Sequence, residues 1–111
     1  MNDVILVLST APAAPGDDTA EQIARALIDE RLAACVNVHA PMVSIYRWKG
    51  AVEKDNERQL VIKTTRGALP ALEKRLRELH PYELPELIVI SAAGGSDKYL
   101  DWVAQEVRQQ P

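Results

Sequence analysis

The chain has 111 residues, a formal charge of −3, a hydrophobic fraction of 47% and a charged fraction of 26%. This is the balance of an ordinary globular domain, too apolar for a disordered chain and too acidic for a general nucleic-acid binder, which needs a basic face to displace phosphate counterions. The single cysteine, Cys35, cannot form an internal disulfide, no apolar run approaches the ~20 residues of a membrane span, and Met1-Asn2-Asp3 lacks the basic start of a signal peptide, so the expectation is one cytoplasmic domain over residues 1–111, away from membranes.

Val4-Ile5-Leu6-Val7-Leu8 is a continuous apolar run of strand length and predicts a strand covered on both faces or central in its sheet. Ala11 to Asp18 reads as a turn, and Asp18 three residues before Glu21 predicts a capping-box helix start. Ile23, Leu27, Ile28 and Leu32 would form the apolar stripe of that helix. Cys35 to Val38 predicts a second strand, interrupted at Pro41 and resumed from Val43 to Trp48 in a period of two. Lys49-Gly50 is a two-residue hairpin turn, and the return strand runs from Ala51 to Thr65. That is long for a strand, and a bulge or bend is expected around the polar pair Asp55-Asn56. Leu69, Leu72, Leu76 and Leu79 mark a second helix with Pro70 in its first turn, ending at His80. His80-Pro81-Tyr82-Glu83-Leu84-Pro85-Glu86 is a stiff extended entry to a strand at Leu87 to Ile90, because each proline keeps its predecessor out of the α region. Gly94-Gly95 turns the chain, and Ser96 caps a last helix bearing Tyr99, Leu100, Val103 and Val107.

The order is β-α-β-β-α-β with an added C-terminal helix, an α+β fold of the ferredoxin-like type. Both principal helices would cover one face of an antiparallel sheet, leaving the other open. The long hairpin between the second and third strands would overhang the sheet and expose unpaired edges, a hazard usually removed by pairing with another chain. A homo-oligomer with closed symmetry is expected.

Ala34-Cys35-Val36-Asn37-Val38, Ser44-Ile45-Tyr46-Arg47-Trp48-Lys49-Gly50, Val61-Ile62-Lys63-Thr64 and the His80 to Glu86 segment, followed by Tyr99-Leu100-Asp101-Trp102, resemble the CutA divalent-cation tolerance family in order and over nearly the whole chain. The resemblance implies a homotrimer of ferredoxin-like subunits with strands exchanged between neighbours, similar in architecture to the PII signalling proteins. It also implies a part in the response to copper and other divalent cations, without specifying a transporter or an enzyme.

A divalent metal, copper above all, would draw on Cys35, His80 and Glu83, since thiolate and imidazole donors suit the softer ions. No paired ligand motif joins them, so a site must be assembled from separate strands or across subunits. Cys35 also reads as a small buried hydrophobe, and His80 as a helix-end imidazole favoured by the dipole. The alternative is a pocket at the subunit boundary for a small anionic ligand or a partner protein, lined by Tyr46, Trp48, Glu57, Lys63, Tyr82 and Trp102. Lys63 among apolar neighbours must find a carboxylate or a bound anion; Glu57 and Glu83 are the candidate carboxylates, and an inter-subunit salt bridge with no ligand reads equally well. The aromatics read equally well as interface anchors. Glu83 and Glu86 lack any accompanying nucleophile, and Gly94-Gly95-Ser96 is too short for a phosphate loop, so no catalytic residue is assigned.

Overall fold

The computed structural model describes residues 2–108. Its elements run β1 (Val4–Pro12), α1 (Thr19–Asp29), β2 (Cys35–Val38), β3 (Met42–Trp48), β4 (Ala51–Thr65), α2 (Leu69–Leu79, preceded by a 3-10 turn at Arg66–Ala68), β5 (Ile88–Ser91) and α3 (Asp97–Glu106). The antiparallel sheet has the order β2-β4-β1-β5, with β3 joined to β4 beyond the end of β2. This is the expected α+β, ferredoxin-like arrangement, in which the second strand of the pattern is divided into β2 and β3.

Strand alternation separates the two faces. Ile5 and Val7 of β1 stand beside Thr64 and Ile62 of β4, and with Leu60 they face α1 and α2, where Ile23, Leu27, Leu72 and Leu76 complete the buried core. Leu6, Leu8, Gln59, Val61 and Lys63 point to the other face, part of which α3 covers. Thr64 belongs to the core because its hydroxyl donates to the Leu32 carbonyl at 2.7 Å, which satisfies both groups away from water.

Helix α1 departs from the expected start and stripe. The Asp18 side chain makes no cap bond and accepts from Gln22 Nε2 instead, while Asp17 Oδ1 accepts the Thr19 N–H at 2.9 Å. The bonds from Thr19 hold the Asp17 carboxyl below the usual carboxylate range. Leu32 lies beyond the helix. Arg31 takes a left-handed φ of 58°, its N–H donates to the Ile28 carbonyl, and the Leu32 N–H donates back to Leu27. This is a Schellman ending with an arginine in the place glycine usually takes. Arg31 also ties down α3, since its Nη2 donates to the Gln105 carbonyl at 3.2 Å and its own carbonyl accepts from Arg108 N–H. Ile28, expected in the stripe, is exposed. Ser96 caps α3 as expected, its hydroxyl accepting from Tyr99 N–H.

The expected bulge at Asp55-Asn56 is absent, and the irregularity lies on the opposite strand. Residues of β2 pair with β4 in the register Val38↔Leu60, whereas β3 pairs as Met42↔Glu57. Three residues, His39, Ala40 and Pro41, therefore oppose two, Arg58 and Gln59, and Pro41 has no N–H to offer the ladder. The extra residue changes which side chains face which way. Met42, Ser44, Tyr46 and Trp48 share the helix-free face with Asp55 and Glu57, and Val43 and Ile45 turn to the other side.

Lys49 and Gly50 both have positive φ, 49° and 83°, which is the two-residue turn expected at this hairpin. Ile62 is fully buried at the centre of the sheet. Ile62→Ala is expected to cost about 2–5 kcal/mol through lost transfer energy and a cavity. Denaturant unfolding checks this as a lower midpoint with an unchanged slope.

Candidate functional site

The face turned away from α1 and α2 carries a groove of about 830 Å³ between β3, the middle of β4 and the segment leading into β5. Tyr46 and Trp48 come from β3, Glu57 and Gln59 from β4, and Tyr82, Glu83 and Glu86 from the proline-bounded segment. A groove of this size is in the range that holds a small molecule. Pro81 and Pro85 stiffen one wall, and the continuous β3–β4 ladder holds the other.

Glu57 is the best shielded charge in the groove, with 8% of its surface exposed. Its Oε2 accepts from the Tyr82 hydroxyl at 2.7 Å, and one step along the strand the Tyr46 hydroxyl donates to Asp55. The hydrogen bond to Asp55, followed by desolvation and the field of Asp55, Glu53 and Glu57, pushes the Tyr46 phenol up to about 12. Burial first, and then the bond to Glu57, raises Tyr82 further. Gln59 Nε2 donates to Glu86 Oε2 at 3.1 Å and to the Ser9 carbonyl, which anchors the acid to the sheet. Among the described residues the lining holds three carboxylates, Glu57, Glu83 and Glu86, and no basic side chain.

Lys63 and Trp102 do not join this groove. Six residues along β4 from Glu57, Lys63 donates to the Tyr99 hydroxyl at 3.4 Å and lies 5.6 Å from that ring's centroid, and Tyr99 packs against Trp102 with the rings tilted by 42° and their centroids 5.5 Å apart. Within one copy Lys63 thus meets a phenol, because α3 brings Tyr99 across this end of the sheet. The pocket read from sequence is two clusters in a single copy, with Tyr46, Trp48, Glu57 and Tyr82 in one and Lys63 and Trp102 in the other.

The candidate metal ligands also stand apart. Cys35 is a half-buried free thiol on β2, in register with Lys63. His80 is buried at the end of α2, where Nδ1 accepts the Tyr82 N–H at 3.1 Å and Nε2 lies 2.6 Å from the Thr10 carbonyl. With Nδ1 accepting, Nε2 carries the proton and donates, so neither nitrogen has a lone pair to offer a metal in this arrangement. The ring pins the segment to β1. Glu83 is exposed at the groove mouth and meets Lys49 Nζ at 3.8 Å. Among the described residues no group of three or more His, Cys, Asp or Glu is placed to hold a metal ion.

From sequence Asp55 reads only as part of a poorly strand-forming polar pair and Lys49 only as a turn residue. The signal that finds Asp55 is the hairpin register. Once Trp48 is paired with Ala51 across the Lys49-Gly50 turn, Asp55 and Glu57 fall on the face of Tyr46.

Residues 5–106 match the family model described as CutA1 divalent ion tolerance protein. The divalent-cation tolerance protein CutA of Thermus thermophilus is 44% identical over 105 residues, 95% of this chain and 97% of that protein. Protein CutA of Homo sapiens is 45% identical over 91 residues, and there the chain spans only 51% of the relative's length. The solved structure of the Thermus thermophilus protein superposes with a TM-score of 0.89, covering 95% of this chain and 99% of that one at 44% identity. A PII-like protein CutA from Nostoc, solved in apo form, gives a TM-score of 0.86 at 37% identity, covering 96% and 99%.

The raised phenols carry a sign that alkaline titration can read. Because the folded state favours the protonated Tyr46, its contribution to stability is complete below pH about 10, the free phenol value, and is lost as pH rises through about 12. Phenolate absorbance is expected to show the Tyr46 transition displaced upward in the folded protein, and Asp55→Asn is expected to move it back toward the free value.

Proposed function

The chain belongs to the CutA1 divalent ion tolerance family, and from that premise we propose that it is a cytoplasmic, non-catalytic homotrimer that takes part in the response to divalent metal ions. The observation that carries the assembly is the hairpin beyond the core. Val43, Ile45 and Val52 are 54%, 69% and 64% exposed on its helix-side face, and β5 leaves Ile88 and Ile90 in solvent at the sheet edge. A two-stranded ribbon is marginal alone, and apolar residues at such density on an open ladder favour pairing with further copies. Three copies with exchanged strands is the closed form this reading adopts. No helix among the described residues is long and apolar enough to cross a membrane.

Copper or another divalent cation is the proposed partner, held by donors from more than one copy. The Cys35 thiol and the Glu83 carboxylate are the donors open to it, and His80 would join only by releasing the Tyr82 N–H. A second reading, a PII-like signalling or scaffold trimer with a ligand groove at the subunit boundary, is favoured by the groove beside Glu57. Its acidic lining argues against the small anion expected from Lys63, which lies in the other cluster.

Light scattering is expected to give three times the chain mass, and Ile45→Asp is expected to lower that mass by placing a charge in the contact. A monomeric wild-type protein would remove the trimer. Titration of the reduced protein with copper against a chelator is expected to show a saturable site at an integral ratio, weakened at least tenfold in Cys35→Ser by loss of the soft donor. Non-saturating uptake, or uptake indifferent to that change, would shift the function to the second reading.

A further inference from the structure

Glu57 presents an imbalance that the fold itself leaves open. A carboxylate this well shielded is costly unless a positive charge or several donors compensate it. Its contact here is one neutral phenol, and no ion pair reaches it among the described residues. Tyr46 and Tyr82 present aromatic surface beside it, and Trp48 extends that surface to the mouth of the groove.

At that mouth the chain already seats a cation. Lys49, held by its left-handed turn, places Nζ 5.5 Å from the Trp48 ring centroid and 3.8 Å from Glu83. This is the pairing of aromatic face and carboxylate that stabilises an ammonium group. The same two ingredients, a carboxylate and aromatic faces, recur deeper in the groove around Glu57.

We infer that the groove binds a small organic ammonium ion, with its charge on Glu57 and its alkyl chain along Tyr46, Tyr82 and Trp48. A bare divalent ion fits this place less well, because it needs several oxygen ligands converging on one point, whereas an ammonium needs one carboxylate and apolar walls. The charges of Asp55 and Glu57, which add to the hydrogen bonding and burial that raise both phenols, also favour a positive group entering the groove. The inference rests on the ligand-groove reading and reverses the sign of the ligand first expected for it.

The test is titration of the assembled protein with 1,4-diaminobutane, with succinate as a probe of similar length and opposite charge. Saturable binding of the diamine is expected, weakened about tenfold or more in Glu57→Gln, the scale of a lost charge-assisted hydrogen bond. Trp48→Leu, at the exposed end of the hairpin, is expected to weaken it severalfold, and this arm stands even if Glu57→Gln disturbs folding. Diamine binding unaltered by both changes would overturn the inference. Succinate binding without diamine binding would also overturn it and leave the ligand-groove reading in place. Uptake of neither probe by the intact oligomer would count against both.

Discussion

Every part of the sheet depends on the pairing of β4. Its last nine residues, Glu57 to Thr65, pair with all of β1, four of them also carry β2 on the opposite edge, and the first seven, Ala51 to Glu57, carry β3. Backbone donors and acceptors cannot be left unpaired in a core, so the strand that satisfies two neighbours at once sets the register of both. Because β4 is longer than β1, its first part emerges from the core with only β3 beside it. The overhang is the geometric source of the exposed apolar ribbon and of one wall of the groove.

The middle of β4 and its C-terminal end support different chemistry on the face turned away from α1 and α2. Near Thr65, α3 supplies Tyr99 and Trp102, and Lys63 finds an aromatic ring instead of a carboxylate. Near Glu57, the chain after α2 supplies a phenol and two further acids, so negative charge accumulates where solvent is partly excluded. His80 links these demands to the fold. By bonding Thr10 and Tyr82 at once it places the proline-bounded segment against β1, and that placement delivers the Tyr82 hydroxyl to Glu57. A residue that reads as a ligand in sequence therefore acts as a bracket that builds the groove wall.

Arg31 shows a similar transfer of role. Its backbone takes the left-handed conformation that ends α1, a modest cost for a residue with a Cβ, and its side chain and carbonyl offset it by holding the end of α3. The helix stripe read through Leu32 had the right residue in the core but the wrong element around it. Leu32 is buried because the Schellman turn folds it back over Leu27.

Much was legible in the chain because alternation and turn chemistry are local. The period of two in β4, the positive-φ turn at Lys49-Gly50, the cap at Ser96 and the order of elements follow from neighbouring residues alone, and the family resemblance followed from motifs contiguous in sequence. Which face Tyr46 and Trp48 occupy was not legible. It depends on which strand carries the irregularity: a bulge at Asp55-Asn56 would turn Tyr46 and Trp48 to the other face, whereas β4 is continuous and the extra residue lies between Val38 and Met42. Nor does sequence say that Lys63 would meet Tyr99 and not Glu57, since that contact is made by a helix arriving from 36 residues away. The chain by itself determined the elements and the hairpin, because these are set by bonds and sterics within a few residues. Only the tertiary structure decided where the charges of the helix-free face meet, because that requires the register between strands and the path of segments far apart in the chain.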